Sequence, residues 1–248
     1  MSSTKPDLAP FVPPFPFRMR NAEILTVAYR STAEAVARFV PDELEPAGER
    51  VILHFYRIHD AGPFAAYGEL AVHLPVHHPS TGVSGAFSPL LYLESDGALA
   101  SGREIFGQPK KLATVTLAPD GDLLVGRMRR NGIDVVTATM ALHQTQSSVE
   151  ALQALGFGTN INLKVIPSVD GSGPAVRELT ARDFEDLQVH EVWEGFGTVE
   201  LRPNAQAPVF LLPVVEVERA FYWRADFTAV WGRVLQSLTV EQAGAALV

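Results

Sequence analysis

No cysteine occurs among the 248 residues, so disulfides, thiolate metal ligands and cysteine nucleophiles are excluded at once. Positive charge is scarce as well. Lys and Arg number 20 against 28 Asp and Glu, the formal net charge is −8, and the densest basic run is the short MRRN of Met128 to Asn131. A nucleic-acid partner requires a clustered cationic face, and none is written here. There is no continuous apolar run of membrane-spanning length, and residues 1–17, with one lysine and five prolines, read as an extended arm rather than a signal peptide or anchor. A cytoplasmic setting with no membrane partner is expected. Nucleotide and hydrolase signatures are missing too: no G-x-x-x-x-G-K occurs, Gly156-Phe157-Gly158 lacks a third glycine, and Gly82-Val83-Ser84-Gly85 breaks the spacing of G-x-S-x-G.

What is present is an apolar fraction of 47%, enough for a sizeable core, distributed over short β-rich segments broken by glycine, proline and aspartate. The pattern predicts strands over Glu23–Arg30, Arg50–Ile58, Tyr67–Val76, Phe87–Leu93, Leu112–Leu117, Leu123–Arg129, Asp134–His143, Asn160–Ile166, Val176–Ala181, Val189–Trp193, Thr198–Leu201 and Pro208–Val217. Asn131-Gly132 is a two-residue hairpin signal, since both residues tolerate positive φ. Helices are fewer: one opened by the capping box Ser31-Thr32-Ala33-Glu34, one from Asp96 to about Phe106, and one from Phe227 to Ala246. The expected fold is mostly β of the α+β kind, an antiparallel or mixed sheet closed into a barrel or sandwich, as one domain over residues 18–248.

Seven histidines raise the possibility of a metal site, and HLPVHH at His73 to His78 is the densest group. Residues four apart in a strand are separated by roughly 13 Å, too far to share one ion, so these read as polar histidines at a strand end, with no metal and no cofactor expected. The segment GREIFGQPKKLA, Gly102 to Ala113, poses a sharper question. A lysine with an ordinary pKa of ~10.4 is almost wholly protonated at neutral pH, so one that attacks a carbonyl must be desolvated or set beside another cation. Lys110-Lys111, flanked by Ile105, Phe106, Leu112 and Ala113, offers both conditions, although most double lysines are solvated surface charge.

That segment, together with Tyr92-Leu93-Glu94, NLKVIPSVDGS at Asn162 to Ser172 and VHEVWEG at Val189 to Gly195, resembles the acetoacetate decarboxylase family, in one order over nearly the whole chain. The resemblance implies a closed, mostly antiparallel or mixed barrel with surrounding helices, assembly into homo-oligomers, and a small keto acid as substrate. It also implies a Schiff base on Lys110, with Lys111 as the neighbouring cation; lysine activation of this sort is known for acetoacetate decarboxylase. Glu69, a few residues after His59-Asp60, matches the family's pocket glutamate and would move protons. Two positions depart from the family. An arginine between asparagine and glutamate is replaced in Asn21-Ala22-Glu23 by alanine, with Arg20 displaced by roughly 7 Å, and a second pocket carboxylate aligns with His54. Arg20 and His54 are therefore candidates for holding the substrate carboxylate. Gln108, Arg103 and Glu104 are further candidates for substrate binding, the last two with a buried structural role as the alternative. Three readings stay open at this stage: decarboxylation of a β-keto acid, a pyruvate-type aldolase-dehydratase using the same lysine, and a non-catalytic ligand-binding barrel.

Overall fold

The computed structural model describes residues 14–238. Sixteen strands follow one another: β1 (Phe17–Arg30), β2 (Glu45–Pro46), β3 (Arg50–Ile58), β4 (Tyr67–His78), β5 (Val83–Leu93), β6 (Lys110–Leu112), β7 (Thr114–Asp120), β8 (Leu123–Arg130), β9 (Ile133–Ala141), β10 (Thr145–Gln146), β11 (Asn160–Pro167), β12 (Pro174–Arg182), β13 (Phe184–Gly195), β14 (Gly197–Leu201), β15 (Glu216–Ala229) and β16 (Arg233–Ser237). Three short helices, α1 (Ala33–Ala37), α2 (Asp96–Ser101) and α3 (Val149–Gln153), begin at Thr32, Ser95 and Ser148, each of whose hydroxyls caps a free backbone N–H.

Twelve strands form a mixed sheet in the order β10-β13-β15-β1-β3-β4-β5-β11-β12-β16, with β2 added on β4 and β6 on β5. Pairing is antiparallel except for β5 with β11 and with β6. The remaining four strands make an antiparallel sheet, β14-β9-β8-β7. The β8–β9 turn is the expected one, with Asn131 at φ 52° and Gly132 at φ 77°. Among the described residues the large sheet is an open path, so the barrel is not closed by backbone hydrogen bonds.

Strand alternation decides which side chains meet. Leu25, Val27 and Tyr29, Leu53 and Phe55, and Leu70, Val72 and Leu74 turn one way and pack on Val115, Leu117, Met128 and Met140 of the smaller sheet. The intervening residues Thr26, His54, Tyr56, Glu69, Ala71 and His73 therefore face the other way, where most of them floor a cavity. One sheet thus supplies a core on one face and a site on the other.

Two expectations fail here. Pro208–Val217 is not a strand: Pro208–Leu211 forms a single 3₁₀ turn, and the chain re-enters the sheet only at Glu216. The helix expected from Phe227 is instead the end of β15 followed by β16, because Phe221, Trp223, Ala225, Phe227 and Ala229 are buried alternately, as a half-buried strand requires. The rest of that segment, residues 239–246, lies outside the described residues, as do residues 1–13 of the expected arm. None of the described helices is long and apolar enough to cross a membrane.

Candidate active site

The Gly102–Phe106 segment continues α2 as a single π turn and stops at Gly107, whose φ of 75° favours glycine and reverses the chain. From there the backbone is extended, so Gln108 and Lys110 turn inward while Pro109 and Lys111 turn outward. Lys110 heads β6, which pairs in parallel with β5 through Leu91. Its side chain runs beneath Gly102; a Cβ at that position would stand 2.6 Å from Lys110 Cδ. Only a glycine leaves room for the lysine stem.

The amine ends in a cavity of about 370 Å³, where Lys110 Nζ donates to Glu69 Oε2 at 3.1 Å. Both residues are buried, at 6% and 8% exposure. Burial holds the Lys110 amine below its ordinary value of 10.5; Glu69 opposes that shift and the Arg182 guanidinium adds to it. Gln108 is fixed beside the lysine by donating to Asn160 Oδ1 at 3.0 Å, and Asn160 in turn donates to Ser88 Oγ. Tyr56 and Tyr67, whose hydroxyls burial raises above the ordinary phenol range, line the cavity near Glu69.

Arg182, at the end of β12, also lines this cavity. Its guanidinium carbon lies 4.7 Å from the Phe106 ring centroid and 4.5 Å from that of Phe184, and its buried Nε has no hydrogen-bond partner among the described residues. Aromatic contact covers its faces and leaves in-plane donors open, an arrangement suited to a planar carboxylate.

The Acetoacetate decarboxylase (ADC) family model matches residues 2–238. The chain belongs to the acetoacetate decarboxylase family. It is 37% identical over 231 residues to an acetoacetate decarboxylase of Bordetella avium, a match covering 93% of this chain and 92% of the relative. The crystal structure of acetoacetate decarboxylase from Legionella pneumophila superposes with a TM-score of 0.89 at 30% identity, covering 95% of this chain and 93% of that one. The enduracididine biosynthesis enzyme MppR, solved with pyruvate, shares the fold at a TM-score of 0.75 and 19% identity, over 92% of this chain and 93% of its own.

Of the residues that the family resemblance singles out, Lys110, Glu69, His54 and Gln108 converge on one cavity. Others do not. Lys111 Nζ donates to the Gln206 carbonyl at 3.2 Å on an exposed face, so the second cation near Lys110 is Arg182 rather than the sequence neighbour. Arg20 is exposed and pairs with Asp60 at 3.0 Å, outside the cavity, while Ala22 is fully buried. Arg103 and Glu104 are exposed on the π turn, where Arg103 donates to the Lys110 carbonyl at 3.2 Å, a structural contact. Of the histidines of HLPVHH, His77 and His78 close β4 and so stand at a strand end, whereas His73 lies within the strand, buried, and lines the cavity. Strand alternation from His54 and Glu69 could have found Tyr56, Tyr67 and His73. Nothing in the spacing could have found Arg182, which reaches the site through the pairing of β12 with β11.

Proposed function

We propose that this chain is a β-keto acid decarboxylase that works through a Schiff base on Lys110. The observation carrying this reading is the buried Lys110 amine, held below its ordinary pKa and set 3.1 Å from a buried carboxylate in a cavity of substrate size. The neutral amine adds to the keto carbon, and water leaves to give a protonated imine. The bond to the carboxyl carbon then breaks, its electron pair moving into the imine to give an enamine as CO2 departs. Glu69 is positioned to return a proton to the enamine carbon, and water hydrolyses the resulting imine to release the ketone and the free amine. Arg182 takes the carboxylate that neither Ala22 nor the exposed Arg20 can hold. An aldolase-dehydratase would share the imine but keep the carboxylate and join the enamine to an aldehyde.

Release of CO2 from acetoacetate by the purified chain, lost in Lys110→Ala, is the expected result. Condensation of pyruvate with an aldehyde in the absence of CO2 release would transfer the assignment to the aldolase-dehydratase, and inertness to both with ligand binding retained would leave a binding module. We further propose that residues 18–248 act as one domain, and that the protein is a cytoplasmic homo-oligomer; exposed Phe196 and Trp231 are apolar surface that assembly would cover. Sedimentation at catalytic concentrations tests the oligomer.

A further inference from the structure

Two imidazoles in the cavity have no part in the imine chemistry. His54 is 1% exposed, and its Nε2 is buried without a hydrogen-bond partner among the described residues. His73 lies beside it, ring centroids 5.1 Å apart. The hydrogen bonds behind the rings fix their tautomers. Trp223 Nε1 donates to Thr26 Oγ1 at 2.9 Å, so the Thr26 hydroxyl, which has no other acceptor among the described residues, donates to His54 Nδ1 at 2.8 Å. In the same way the Asn160 amide donates to Ser88 Oγ, and the Ser88 hydroxyl donates to His73 Nδ1 at 3.0 Å. The Asn160 amide is itself oriented by donating to the Ala86 carbonyl. Each ring therefore carries its hydrogen on Nε2. Burial, reinforced by its neighbour His73, keeps His54 well below the ordinary histidine range, and burial aided by Arg182 takes His73 to about 4, so both are neutral donors.

A buried donor left unpaired is costly, and its retention calls for a partner. The register shows where that partner would lie. Thr26, His54, Ala71, Leu91 and Lys110 form one row across five strands, which sets His54 three strand spacings from Lys110, roughly 14 Å between Cα atoms. Ala71 and Leu91 lie between them in this row and line the same cavity, so a ligand tethered at Lys110 would extend along it. Phe157, 4.6 Å from the His54 ring, and Trp223 make its apolar flank. The cavity has room for at least on the order of ten non-hydrogen atoms at ~30 Å³ each, more than acetoacetate fills.

We propose that His54 and His73 form a second binding locus, for a neutral oxygen acceptor carried a few bonds beyond the reacting carbonyl, so that the acid processed is a β-keto acid with an oxygenated chain longer than that of acetoacetate. The identity of the acid rests on the decarboxylase reading above; the binding locus does not. Titration of the purified chain with hexane-2,5-dione and with hexan-2-one, the ketones that two such acids would release, tests the locus without turnover. The dione should bind at least tenfold more tightly, and that advantage should shrink to within about twofold in His54→Phe, which keeps a ring of similar shape and removes the donor. Equal binding of the two ketones by the unaltered chain, or an advantage that persists in both His54→Phe and His73→Phe, overturns the locus. The unaltered chain decides alone if the variants do not fold. With 3,6-dioxoheptanoate and 3-oxoheptanoate the same tenfold ratio is expected in kcat/KM. No CO2 from either acid, with the dione preference intact, supports the locus and overturns the decarboxylase reading instead.

Discussion

At the scale of single residues, the account turns on what lies next to Lys110. With apolar flanks alone, Lys110→Met would relieve a buried charge and stabilise the fold. Glu69 at 3.1 Å reverses the sign, because the single substitution leaves a buried carboxylate without its partner. Lys110→Met is expected to lower stability by about 3 kcal/mol, and Lys110→Met with Glu69→Leu to restore it to the native level or above; thermal unfolding of the two variants at neutral pH checks this. The two arginines separate in a similar way. Arg182→Gln should cost about 10²-fold in kcat/KM for acetoacetate, through loss of carboxylate orientation, whereas Arg20→Gln should change it less than about twofold, since an exposed pair with Asp60 contributes little. The lysine was legible only through the resemblance of its segment to the family, because a double lysine with apolar flanks does not by itself differ from a solvated surface pair. Arg182 was not, because a lone arginine in a strand carries no sign of the aromatic rings that receive it.

At the scale of elements, the π turn and β6 act as one positioning device. Gly102 admits the lysine stem, Gly107 reverses the chain, and the extended backbone sends Gln108 and Lys110 to the same side. Gly102→Ala would place a methyl 2.6 Å from Lys110 Cδ and 2.9 Å from Gln108 Oε1. Circular dichroism and kinetics on that variant should show a folded protein with kcat down by about 10²-fold, because the amine is displaced rather than the core. The strands that build the cavity floor, β3 and β4, were readable as β-rich segments bounded by glycine, proline and aspartate, and β3 matches its expected bounds of Arg50–Ile58. β15 was missed although Phe221 to Ala229 alternate strictly; its interleaved Arg219, Arg224 and Asp226 pair across strands with Glu194, Glu191 and Arg18. Beyond Phe227 the described chain carries Thr228, Val230, Trp231 and Val234, residues that favour strand, and β16 pairs with β12.

At the scale of the whole molecule, the pH dependence of stability follows from opposed groups. The folded value of Lys110 lies below its ordinary 10.5, so between the two the unfolded chain binds more protons and stability rises with pH. Buried Tyr56 and Tyr67 are raised above their ordinary 10.0, so above that pH the unfolded chain binds fewer protons and stability falls. Unfolding temperature relative to the Lys110→Met, Glu69→Leu variant should therefore climb towards pH 10 and then level off, while both proteins fall together at higher pH. The mostly β class is as expected, and among the described residues backbone hydrogen bonds do not close the twelve-stranded path, since β10 and β16 do not pair with each other. The central claim is that Lys110 forms an imine from which CO2 is lost, and borohydride reduction during turnover of acetoacetate at neutral pH tests it most directly. The account predicts one adduct per chain, on the peptide containing Lys110, with the mass of an isopropyl group, which records loss of CO2 before reduction. An adduct that retains the carboxyl group, an adduct on another lysine, or no adduct under conditions where CO2 is released would contradict it.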